Sequence, residues 1–154
     1  MYKKVLVPLD GSALAECTLK HVKELSRKGV IGEIFLLQVI ESLRSGFWTG
    51  PSGANNIEKI EEQWTEHAEE YLSKIQSQLS SEGIKATIEV VGAFKASQAI
   101  IEYAKEKNIG LIVMASQGYS GVSVKQMVFG SVALKVLHEA RIPVLLIRPE
   151  NAEC

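Results

Sequence analysis

The sequence predicts an α/β protein: an open, doubly wound, five-stranded parallel sheet in the order 3-2-1-4-5, with helices on both faces. Three observations predict it. Short apolar runs rich in β-branched residues alternate with segments whose apolar residues recur every three or four positions. That alternation is the mark of parallel strands joined by crossover helices, which cover the sheet on both sides. Small and polar residues break the pattern just after the first, second and fourth runs, where an open α/β sheet binds its ligands.

The elements follow in order. Residues 4–9 (KVLVPL) form a buried strand, broken by Asp10-Gly11-Ser12. Ser12 suits the cap of a helix that carries Ala15, Leu19, Val22 and Leu25 on one face and stops near Gly29. Residues 33–40 (EIFLLQVI) are the second strand. Residues 41–56 hold three glycines, Pro51 and two asparagines, and are expected to lack regular structure. Ile57, Ile60, Trp64, Ala68, Tyr71, Ile75 and Leu79 then mark a long amphipathic helix, with Trp64 and Tyr71 expected in the core. Gly83 ends it in the position of a left-handed cap. Residues 85–91 (KATIEVV) are the third strand, and Ala96, Ala99, Ile100, Tyr103 and Ala104 the third helix, ending at 108–110. Residues 110–115 are the fourth strand, 131–140 the fourth helix, and 143–148 (PVLLIR) the last strand. Pro143 stands at a strand start, where its missing N–H matters least.

One domain over residues 1–154 accounts for the whole chain. A formal net charge of −1 argues against non-specific nucleic-acid binding, which needs a basic excess. No apolar run approaches a membrane span, and no polybasic cluster suits an anionic membrane surface. The N-terminus lacks a signal-peptide pattern, which predicts a cytoplasmic protein. Cys17 and Cys154 fit as a buried thiol and a free tail thiol. His21, His67 and His138 are far apart and match no metal-ligand spacing. GxSxG does not occur, so there is no nucleophile elbow.

The stretch ASQGYSGVSVKQMVFGS, residues 115–131, carries the chemistry. Gly130-Ser131 directly precedes a helix, whose start offers unpaired N–H groups and partial positive charge to an anion. Glycines allow close backbone approach, Ser131 adds a donor, and Lys125 could add charge. Neither GxGxxG nor GxxxxGK[ST] is present, and glycine also serves any tight turn. After the first strand, Asp10 could accept from a ligand or simply cap the first helix. Phe47 and Trp48 sit in the 41–56 stretch, which either closes over the site or packs locally. The seven charges of the long helix, Glu58 to Glu70 in sequence, read as a solvated face.

VLVPLDGS, VMASQGYSG, FGSVALKVL and PVLLIRP, in this order, resemble the universal stress protein family over the length of the chain. The resemblance implies an adenine nucleotide, ATP or a related adenylate, between the first and fourth strands. It places Asp10 at the ribose, the Val39 backbone at adenine, and Pro8, Met114, Gly118, Gly130, Ser131 and Val132 around the adenosine and phosphates. Leu9 and Ala115, adjoining these, complete the candidate set. Mg²⁺ can ride on such phosphates without an all-protein cage. The sequence departs from the family's Gly-x-x-Gly, nine-residue gap, Gly-Ser/Thr motif: Ala115 replaces its first glycine, and eleven residues separate Gly118 from Gly130. Ala115 is tolerable where φ is negative and costly where it is positive. The resemblance also implies a homodimer through the apolar last strand, which as an unprotected edge invites pairing with its symmetry mate.

The expected function is that of an adenine-nucleotide-binding stress or regulatory protein, presenting a nucleotide-dependent surface to a protein partner. No water-activating base or arginine finger stands in the motif, which predicts at most slow hydrolysis. The alternatives are a nucleotide-free dimeric interaction module and a slow ATPase. An ATP-pyrophosphatase relative would need an SGGxDS-type loop after the first strand. A phospho-receiver would need an acidic pair there and an Asp after the third strand. A flavodoxin-like protein would need a Ser/Thr-rich loop. DGS and Gly92-Ala93 stand in those places.

Overall fold

Nine elements alternate along the chain: β1 (Tyr2–Pro8), α1 (Ala13–Arg27), β2 (Ile31–Glu41), α2 (Pro51–Ser81), β3 (Ala86–Ala93), α3 (Ala96–Glu106), β4 (Leu111–Ala115), α4 (Ser131–Glu139) and β5 (Val144–Ile147). The structure, a computed structural model, describes residues 1–43, 51–117 and 130–148, with 51–55 as backbone only. All strand pairs are parallel, and the sheet order is β3-β2-β1-β4-β5. This is the predicted topology. The chain winds outward from β1 to β3, then returns to the other side of β1 for β4 and β5. The switch point therefore lies between the carboxyl ends of β1 and β4.

The period of two in β1 divides the core. Val5, Val7 and Leu9 pack with Leu19 and Val22 of α1 and with Leu72, Ile75 and Leu79 of α2. Leu6 faces the other way, to Phe35, Leu37, Ile100, Tyr103 and Val136. One sheet face thus carries α1 and α2, the other α3 and α4. Leu6, Ile34, Leu36, Leu37 and Ile112 are fully buried, as the uninterrupted apolar runs require. Gly83 has a φ of +76°, and its N–H and that of Ile84 close the end of α2 on Ser80 and Leu79.

Three expectations are corrected. Residues 41–56 are not structureless throughout. β2 pairs with β3 as far as Glu41 opposite Ala93, and α2 starts at Pro51. Proline suits a first helical residue, because its missing N–H has no intrahelical partner there and its φ is preset. Phe47 and Trp48 lie outside the described residues. Trp64 is not core: it is 40 % exposed, as Ile60 is 38 %. A helix of 31 residues runs about 46 Å, whereas an eight-residue strand such as β3 spans about 27 Å. The amino-terminal half of α2 therefore overruns the sheet, and among the described side chains burial begins only at Ala68. Cys17 is buried as expected but disulfide-bonded, not a thiol; Cys154 lies outside the described residues.

Candidate functional site

The carboxyl ends of β1, β2 and β4 and the start of α4 meet at the switch point. After β1, the Leu9 N–H still bonds the Leu37 carbonyl at 2.8 Å, so the ladder holds to the rim of the site. Gly11 then turns the chain with a φ of +81°, a backbone that side chains rarely adopt. Ser12 Oγ accepts from the Ala15 N–H at 3.1 Å and caps α1. Asp10 Oδ1 accepts from the Ser12 N–H at 3.0 Å and from Ser12 Oγ at 2.5 Å. The sequence left Asp10 between cap and ligand contact. The cap is Ser12, and Asp10 braces it while standing at the exposed edge of the cleft.

After β4, the Ser116 N–H bonds the Ile147 carbonyl at 2.8 Å, extending the β4–β5 ladder by one residue. The Ser116 carbonyl accepts from the Gly130 N–H at 2.6 Å. This bond pins the start of α4 to the end of β4, so the eleven residues between Gly118 and Gly130 do not separate the two. Gly118, Gly121 and Lys125 lie outside the described residues. Among the described non-glycine residues only Asn108 has a positive φ, so Ala115 carries its methyl without backbone strain. Gly130 caps α4 with an extended backbone (φ −73°, ψ 158°) and no side-chain bond, and the first turn holds no acid. Any residue could adopt that φ. Glycine's contribution is the missing side chain, which leaves the first-turn N–H groups of α4 facing the cleft without a side-chain cap.

Nine of the ten candidate residues line one cleft: Pro8, Leu9, Asp10, Val39, Met114, Ala115, Gly130, Ser131 and Val132. Gly118 is outside the described residues. The cleft has a volume of about 110 Å³, below the roughly 300–1,000 Å³ usual for small-molecule sites, so a nucleotide would extend past it. Its walls differ. Leu37, Val39, Ile100 and Met114 make an apolar side that suits a flat base. Ser116, Gln117, Gly130 and Ser131 make a polar side at the positive end of α4. Sequence reasoning missed Ser116. Its side chain is buried, its Oγ has no hydrogen-bond partner in the protein, and it lines the cleft. The signal was present, a small polar residue directly after an apolar strand.

Asp10 is the one charged side chain among the described residues that line the cleft. No group of three or more His, Cys, Asp or Glu among the described residues is placed to hold a metal. A metal at this site would therefore have to arrive with its own phosphate ligands.

Known proteins share this fold. The universal stress protein MJ0577 of Methanocaldococcus jannaschii is 31 % identical over 164 aligned positions, covering 99 % of this chain and 98 % of the relative. The solved structure of MJ0577 superposes with a TM-score of 0.84 at 28 % identity, covering 98 % of this chain and 99 % of that one. Universal stress protein UspA from Lactobacillus plantarum superposes with a TM-score of 0.83 at 22 % identity, over 96 % and 98 % of the two chains. A universal stress protein family protein from Arabidopsis thaliana, solved with AMP bound, shares the fold with a TM-score of 0.64 at 15 % identity, over 97 % of each chain. The family model described as "Universal stress protein family" matches residues 1–148. With that match spanning every described element from β1 to β5, the chain belongs to the universal stress protein family.

Proposed function

We propose that this chain binds an adenine nucleotide in the switch-point cleft and acts in a stress response as a nucleotide-dependent homodimer. The observation that carries the reading is the pairing of the buried, unpartnered Ser116 hydroxyl with the side-chain-free start of α4 in one cleft. An orphaned buried hydroxyl is costly unless something else bonds it, and uncapped helix N–H groups want an anion. The apolar wall at Val39 and Met114 suits the base, Asp10 the ribose, and Gly130, Ser131 and Val132 the phosphates. AMP in the Arabidopsis relative supports adenylates as the ligand class. With Asp10 as the one charged side chain at the described cleft, and already bonded to Ser12, efficient hydrolysis is not expected.

The test is thermal unfolding with ATP, ADP, AMP and GTP. At a hundredfold excess over Kd an adenylate should stabilise the protein by about 2.7 kcal/mol, a rise in Tm of roughly 5–10 °C for a chain of this size. Ser116→Ala should leave the free protein as stable as before, or slightly more so, and weaken the adenylate about tenfold, near 1.4 kcal/mol. No shift with any adenylate would refute the reading.

For the dimer, β5 stands at the sheet edge, and Leu145 is 38 % exposed there. Leu134 and Leu137 of α4 are exposed as well. Sedimentation should show a dimer that Leu145→Lys converts to monomer, because a charge on an edge strand opposes edge-to-edge pairing. No described helix is long and apolar enough to cross a membrane.

A further inference from the structure

Asp10 borders a second cavity on the opposite face of the sheet. The alternation of β2 sends Leu37 and Val39 to the nucleotide cleft and Gln38 and Ile40 to the side covered by α2. There Gln38, Asp10 and, from α2, Trp64, His67 and Tyr71 surround a space of about 740 Å³. That lies within the roughly 300–1,000 Å³ range of small-molecule sites. The overrun of α2 past the sheet creates it.

Two buried polar atoms of this cavity's lining residues are unsatisfied. Gln38 Oε1 and the Tyr71 hydroxyl have no hydrogen-bond partner in the protein. Such atoms are rare in native interiors and each calls for an explanation. The other groups define what could satisfy them. His67 Nδ1 lies 2.8 Å from the Gln63 carbonyl, which can only accept, so Nδ1 carries a proton and Nε2 is the ring nitrogen left to accept from a ligand. Burial raises the Tyr71 pKa above the usual phenol value, and the Glu16 and Asp10 carboxylates raise it further. Of the two carboxylates, Glu16 has the larger effect on that hydroxyl, ahead of Asp10. The field at Tyr71 is therefore negative, and no lysine or arginine is among the described residues lining the space. Trp64, 40 % exposed, supplies an aromatic surface at the mouth.

We propose that this cavity is a second ligand site, taking a small planar cation of the amidinium or guanidinium kind that lies against Trp64 and donates to Gln38 Oε1 and His67 Nε2. A planar cation gains from an indole surface and from nearby carboxylates, and its N–H groups match a set of acceptors. The two linings share Asp10, whereas Gly130, Ser131 and Val132 line the nucleotide cleft and not this cavity.

The experiment uses benzamidine as the probe and benzoate as its anionic isostere. Trp48→Phe leaves Trp64 as the single tryptophan, so its fluorescence reports on this cavity. Saturable quenching by benzamidine and none by benzoate is expected. Gln38→Leu should weaken benzamidine at least tenfold, and Tyr71→Phe, which keeps the ring, should weaken it measurably. Gly130→Asp should leave it unchanged. The proposal is overturned by the absence of saturation up to the probe's solubility, by benzoate binding as well as benzamidine, or by unchanged affinity in both Gln38→Leu and Tyr71→Phe.

Discussion

The starts of α1 and α4 follow neighbouring strands, on opposite faces of the sheet, and differ in how their first turns are capped. Each follows a central strand, and each directs first-turn N–H groups towards the crevice. At α1 the chain satisfies itself: Ser12 caps the helix, and Asp10 braces Ser12. At α3, too, the Ala96 N–H finds an acceptor, the Glu41 carboxylate at 2.9 Å. At α4 a glycine stands in the cap position, no side chain among the described residues caps the first turn, and the serine beneath it has an unpartnered hydroxyl. On the proposed reading, α1 is closed for stability and α4 is left open for a ligand.

The sharpest way to break the contrast is to make α4 resemble α1. Gly130→Asp places a good capping carboxylate where glycine now stands. The extended φ of −73° accepts it without strain. Thermal unfolding should show the free protein unchanged or more stable by a few tenths of a kcal/mol. Adenylate affinity should fall at least a hundredfold, about 2.7 kcal/mol, because the new carboxylate occupies the N–H groups and repels phosphate. Stability and affinity moving in opposite directions would separate a ligand site from a merely weak helix end.

The reverse change should be smaller and of another kind. Ser12→Ala opens α1 and should cost about 1 kcal/mol in urea unfolding. If it instead abolished nucleotide binding at unchanged stability, α1 would be the functional start and the comparison would invert. The least effect belongs at the far end of α1, where Lys23 and Arg27 bond Glu82 at 2.6 and 2.7 Å. The Lys23 bond is the main cause that lowers the Glu82 pKa. A lowered folded value means that the stabilisation is complete above the unfolded value near 4.5 and is lost as pH falls through the folded one. A shallow loss of stability on that acid side, removed in Glu82→Gln and weakened by salt, is expected from an exposed pair.

Much of this was legible in the sequence because much of it is periodic. Parallel strands buried on both faces are apolar without interruption, and α1 and α2 carry their stripes at helical spacing. The open doubly wound class then followed from the alternation of elements. The cleft residues were legible for a different reason: they sit at strand ends and at a Gly-Ser pair before a helix, where spacing and resemblance agree. What escaped depends on relations between distant residues. The early start of α2 was hidden among Gly53, Asn55 and Asn56, residues of low helix propensity that the helix nevertheless includes. The exposure of Trp64 depends on how far α2 outruns β3, a length no local pattern reveals. Ser116 became a site residue only through the β4–β5 ladder, which fixes where its backbone and side chain point. The cavity at Gln38 and Tyr71 needed residues 33 positions apart to be brought together.

The measurement that tests the central claim most directly is calorimetric titration of the purified protein with ATP, with and without Mg²⁺, beside the Gly130→Asp variant. Saturable heat in the unaltered chain, absent in the variant while its unfolding temperature holds, is the predicted result. No heat at several temperatures, together with no nucleotide released on denaturing the purified protein, would contradict the account. The open start of α4 would then not be a nucleotide site.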